Sequence, residues 1–140
     1  ITKPMLDEIK QKIDPVIYDR CEYIIEENDR VIAASNALKN DDLVLFGKLM
    51  YGSHDGLQHK YQVSCPELDF LVDYSKDKEF ILGSRMMGGG FGGCTINLIH
   101  KDVVEAYTKE VSQAYLKKFN IDLDAYLAMP DSGTIIKKQK

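Results

Sequence analysis

At 140 residues the chain is sized for one domain with its own core. Its net charge of −4, with acids and bases interspersed, gives no basic field for nucleic acid, and no apolar run reaches the length of a membrane span. Cys21, Cys65 and Cys94 are widely spaced and odd in number, which suits neither a disulfide framework nor a zinc site; with no charged-then-apolar leader in view, a cytoplasmic domain is expected.

The first strong signal is Asp14-Pro15, an N-cap followed by a proline where its missing N–H costs nothing. A long helix should follow, with Ile17, Cys21, Ile24, Asn28, Val31, Ser35 and Leu38 recurring on one face as a partly exposed seam. Asn40 ends it and Asp41 is expected to cap an antiparallel partner with Leu43, Phe46, Gly47 and Met50 inside and Gly52 as C-cap. Ser53-His54-Asp55 would then open a short further helix ending near Tyr61. His54 and His59 lie five apart, off adjacent helix positions, and are read as partly exposed polar residues, not metal ligands.

Ser64 with Glu67 reads as a capping box around Pro66, opening a helix that buries Leu68, Leu71, Val72 and Ser75. Ile81 to Met86 is extended, and Cys94 to Ile99 alternates as a strand. Between them lies Met86-Met87-Gly88-Gly89-Gly90-Phe91-Gly92-Gly93-Cys94. Beyond the second strand, Asp102 and Glu105 signal a helix with Val104, Tyr107, Val111, Ala114 and Lys118 on one face. Leu123 to Met129 alternates as a further strand, Pro130-Asp131-Ser132-Gly133 is a turn, and Thr134-Ile135-Ile136 is expected to return as a last strand before a basic tail. This order fits an α+β layer, an antiparallel sheet with helices on one face.

The glycine loop decides what chemistry to look for. Gly88, Gly90 and Gly93 satisfy G-x-G-x-x-G, but a dinucleotide site needs a helix straight after the loop, and here a strand follows. Gly93-Cys94 lacks the Lys-Ser/Thr of a Walker loop, and the later motifs of a protein kinase are absent. The loop is either a plain hairpin connection or a row of backbone N–H groups forming a concave nest for an anion such as phosphate. Gly90 is expected to meet another backbone closely, so that a Cβ there would obstruct a cleft more than the core. No nucleophile-His-acid set and no phosphate-binding lysine stands out, so the loop resembles half of a site completed elsewhere.

Gly83-Ser84-Arg85-Met86-Met87-Gly88-Gly89-Gly90-Phe91-Gly92-Gly93-Cys94-Thr95 closely resembles the third conserved motif of galactokinases, in the family that includes homoserine, mevalonate and phosphomevalonate kinases. Ser53-His54 and Tyr61-x-Val63-Ser64-Cys65-Pro66-Glu67-Leu68-Asp69 are similar to the same group, and the resemblance runs from about Asn28 to Ile136. It implies a C-terminal domain of ferredoxin-like α+β fold, spanning residues 1–140, whose N-terminal domain lies outside this chain. It also implies ATP and Mg2+ held mainly by that other domain, galactose as the substrate phosphorylated at its anomeric hydroxyl, and a nucleotide-contacting loop of Gly88, Gly89, Gly90, Phe91, Gly92 and Gly93. No catalytic residue and no metal ligand is assigned within the chain, and alone it is expected to be inactive. Galactokinases usually carry Thr where this chain has Met87, and Arg85 is read as an ion-pair partner in preference to a phosphate ligand. A non-catalytic galactokinase-like sugar sensor and a ferredoxin-like ligand-binding domain remain as alternatives.

Overall fold

The starts of the two longest helices fall at or next to their local signals. A computed structural model describes residues 1–129. A short helix, α1 (Lys3–Glu8), and a 3-10 turn at Lys10–Lys12 precede α2 (Pro15–Lys39). Asp14 caps α2 by accepting the Val16 N–H at 2.8 Å. The next cap is one residue later than expected: Asp41 takes a left-handed φ of 56°, and Asp42 accepts the Leu45 N–H at 2.9 Å to open α3 (Leu43–His59).

The apolar seam expected on α2 faces outward. Ile17, Ile24, Val31 and Leu38 are all about half exposed, whereas Tyr18, Tyr23 and Ala37 are buried. The inward face carries charge instead, because α3 and its C-terminus supply the partners. Lys60 Nζ lies 2.7 Å from Glu22 and 2.6 Å from Glu26, and the Ser53 hydroxyl donates to Glu27 at 2.5 Å. Apolar periodicity alone selects the wrong side when polar groups on the other side are paired.

Gly52 does not end α3, which runs on through Ser53, His54 and Gly56 as one helix. Its glycines serve packing. A Cβ on Gly56 would stand 2.5 Å from the Tyr23 ring, and one on Gly47 would stand 1.8 Å from Leu82 O. The bare surface of α3 thus lets α2 approach on one side and a strand on another.

Helix α4 (Pro66–Lys76) buries Leu68, Leu71, Val72 and Ser75, as its periodicity predicts. The capping box does not form: Cys65 is the N-cap, with no side-chain hydrogen bond, and the Ser64 hydroxyl donates to Asp69 at 2.5 Å. Strands β1 (Ile81–Met87) and β2 (Cys94–Ile99) pair antiparallel, with a register shift between Ile81 and Gly83. After a 3-10 turn comes α5 (Val104–Phe119), whose N-cap is Val103 with no side-chain hydrogen bond, so Asp102 does not cap it. Leu71, Ile81, Tyr107, Val111 and Tyr115 form a core cluster under α4 and α5, ringed by Phe70, Tyr74, Phe80 and Phe119.

The strand expected at Leu123 to Met129 is absent. That segment has no regular structure, and only Leu123 packs on the core while Leu127 and Met129 are exposed. Alternation specifies a strand only where one face is covered by a neighbour. Thr134-Ile135-Ile136 lies outside the described residues. The described residues form a mixed α+β fold with a two-stranded antiparallel sheet on which α3 and α4 pack; they do not build the ferredoxin-like sheet that the resemblance implies.

Candidate functional site

The loop between β1 and β2 is a run of backbone conformations that side chains disfavour. Gly88, Gly90, Gly92 and Gly93 have φ of 96°, 88°, 135° and 101°, and Phe91, which is not glycine, has φ 59°. Cβ atoms added at Gly88, Gly89 or Gly92 would meet nothing within 4 Å, so main chain there is open to an approaching group. Such alternation of dihedrals is how successive N–H groups come to line an anion-binding concavity.

Gly90 differs from its neighbours. A Cβ on it would lie 2.2 Å from Val63 O, so the backbone it meets belongs to the α3–α4 connection of the same chain, and the expectation that a substitution would spare the fold is corrected. The Phe91 N–H donates to the same Val63 oxygen at 2.7 Å. This bond holds Phe91 in its left-handed conformation with the ring 77% exposed. The ring borders an open cleft of about 210 Å3 lined also by Arg20, Tyr61, Gln62 and Val63. Arg20 on α2 was not singled out from sequence, since nothing in its spacing ties it to a loop some seventy residues on.

At the other end of the loop, β1 is held by side chains. Arg85 pairs with Glu27 at 3.4 Å, in line with its reading as an ion-pair partner, and its Nε donates to Met86 O at 3.0 Å. The Met86 N–H donates to His54 Nδ1 at 3.2 Å. His54 is 1% exposed, which overturns its reading as a partly exposed residue, while His59 is exposed beside Asp55. Burial pushes the His54 imidazole below its ordinary value, opposed by the nearby Asp69 carboxylate. Met87, at the base of the loop, is half exposed. Among the described residues no cluster of three or more His, Cys, Asp or Glu is placed to hold a metal, and no helix is long and apolar enough to cross a membrane.

A family model described as "GHMP kinases C terminal" matches residues 34–117, more than half of the chain and the whole of the loop with both strands. The chain belongs to the GHMP kinase family. Within that family its likeness is to galactokinases. It is 43% identical over 113 residues to a galactokinase of Thermotoga maritima, covering 81% of this chain and 32% of that protein. A galactokinase of Clostridium beijerinckii is 37% identical over 135 residues, 96% of this chain and 35% of the other. The crystal structure of Lactococcus lactis galactokinase complexed with galactose superposes with a TM-score of 0.81 at 33% identity, over 87% of this chain and 32% of that one. The chain therefore spans about a third of the length of the relatives it matches.

Proposed function

We propose that this chain is the C-terminal domain of an ATP-dependent galactokinase that phosphorylates galactose at its anomeric hydroxyl. The observation that carries this reading is the loop: bare main chain with left-handed dihedrals, open at Gly88, Gly89 and Gly92, in a chain whose relatives are named galactokinases. Residues Gly88 to Gly93 fit the anionic end of ATP. The loop offers amides and no carboxylate, so it does not fit Mg2+, whose ligands would come from the N-terminal domain of the same polypeptide.

Phosphoryl transfer is served largely by positioning and by fixed dipoles where charge develops. In this chain the glycine amides of the loop would orient the terminal phosphates and hold their charge, the Phe91 N–H being given to Val63 O. The Val63 and His54 contacts hold the tip of the loop at Phe91 and its base at Met86. The sugar-binding groups and the residues that assist attack are assigned to the N-terminal domain. The exposed apolar side of α2, with Ile24, Val31 and Ile32, supports a larger protein packed on this domain.

The test is galactose 1-phosphate formation by the full-length protein with ATP and Mg2+, and by the 140-residue chain alone. Turnover by the former and none by the latter is expected. Full-length protein that binds galactose without turnover would favour a sugar sensor.

A further inference from the structure

Two segments that resemble those of galactokinases, Ser53-His54 and Ser64 to Asp69, lie beside the groups that hold the glycine loop at Met86 and Phe91. Met86 pairs with Thr95 across the sheet, and its N–H points away from β2 to the buried imidazole of His54 at 3.2 Å. Since Nδ1 accepts that bond, the neutral ring carries its proton on Nε2. Nε2 is buried 3.3 Å from Asp69 Oδ1, close but off the line of a full hydrogen bond. The same Asp69 oxygen accepts the Ser64 hydroxyl at 2.5 Å. Ser64 directly follows Val63, whose carbonyl anchors the Phe91 N–H. These side chains thereby run in contact from the base of the loop at Met86 to the segment that anchors its tip at Phe91.

From this we infer that His54 is a positioning residue for phosphoryl transfer: its Nδ1 fixes the last buried peptide of β1, and through Asp69 and Ser64 it ties that peptide to the segment holding the loop's tip. The inference rests on the kinase reading for its kinetic consequence but not for its structural one. His54 touches no substrate. It sets where the amides of Gly88 to Gly93 stand, and a site that works by fixed dipoles is sensitive to small misplacements.

Three variants of the full-length protein separate this role from mere packing. His54→Asn keeps an acceptor near the Nδ1 position; His54→Gln reaches toward Asp69 but leaves the Met86 N–H unmet; His54→Leu fills space and does neither. Loss of a buried acceptor is expected to lower kcat/KM for ATP about tenfold in His54→Leu and His54→Gln, with KM for galactose unchanged. His54→Asn is expected to recover most of the loss. Amide exchange at Met86 and Gly88 to Gly93 should rise in the same order. If His54→Leu does not fold, the Asn and Gln variants decide between themselves. Equal loss in Asn and Gln, or exchange at these amides indifferent to the variant, overturns the inference. A full-length protein that phosphorylates no galactose defeats the kinase reading, while the exchange order still decides the role of His54.

Discussion

Gly90 and Val63 stand so close that one backbone leaves no room for a side chain on the other: a Cβ on Gly90 would be 2.2 Å from Val63 O, at a φ of 88°. Gly90→Ala must therefore move the loop or the α3–α4 connection as well as bear the strain of a left-handed residue. The expected cost is about 2–6 kcal/mol, since backbone strain and overpacking each contribute about 1–3 kcal/mol. Denaturant unfolding of the 140-residue chain measures it, and a loss within about 0.5 kcal/mol would be that of an ordinary surface site and would contradict this contact.

Gly88→Ala is the matched control. Its Cβ meets nothing within 4 Å, so only the φ of 96° counts against it, and a loss of about 1–2 kcal/mol is expected. In the full-length protein it should nonetheless depress phosphoryl transfer at least as much as Gly90→Ala, because its Cβ projects into the space assigned to phosphate. Steady-state kinetics beside unfolding curves of both variants test the contrast.

These two glycines indicate what was legible in the sequence. The hairpin, its strands and the inward face of α4 were readable because their signals are local: alternation, a glycine run, and residues three and four apart. The partner of Gly90 was not. Only the folded chain places Val63 against it, and the sequence by itself points to a close approach at a cleft more than in the core. His54 was misjudged for a similar reason. A histidine on a helix reads as polar surface unless the acceptor role of Nδ1 toward a strand amide thirty-two residues away is known. The α2 seam failed because Glu22, Glu26 and Glu27 are matched by groups from α3 and its C-terminus, which apolar periodicity ignores.

Stability should fall on mild acidification. His54 is held below its ordinary value of 6.5 by burial, so the unfolded chain binds a proton before the native one does. The His54 contribution is complete above about pH 6.5, declines as pH falls below it, and is exhausted beneath the native value. Glu22 and Glu110, lowered chiefly by hydrogen bonds from Lys60 and Lys78, add a second decline at lower pH, below the ordinary carboxylate value of 4.5. Unfolding free energies of wild type and His54→Asn across pH 4.5–7.5 should converge toward the acid end, and parallel curves would exclude His54 as the source.

Gly56→Ala should separate α2 from α3, since the new methyl would meet the buried Tyr23 ring at 2.5 Å. Overpacking of this kind costs about 1–3 kcal/mol. Tyr23→Leu in the same background should recover part of the loss, which a double-mutant cycle on unfolding free energies measures. Strict additivity would mean that the two residues do not meet.

Met87→Thr introduces, at a half-exposed position, the residue that the resemblance to galactokinases leads one to expect. Stability should change by no more than about 0.5 kcal/mol, as for a surface site. A changed KM for ATP in the full-length protein would assign the hydroxyl a role at the nucleotide, and an unchanged one would assign this position to packing alone.

The central claim is that the glycine amides between Gly88 and Gly93 face the phosphates of ATP, while the Phe91 N–H anchors the loop on Val63 O. Backbone amide resonances of these residues, followed in the full-length protein during titration with Mg2+ and a non-hydrolysable ATP analogue, test it most directly. Shifts concentrated at Gly88 to Gly93, with nucleotide-dependent protection from exchange, are the predicted result. Saturated nucleotide binding that leaves those resonances and their exchange rates unaltered would contradict it.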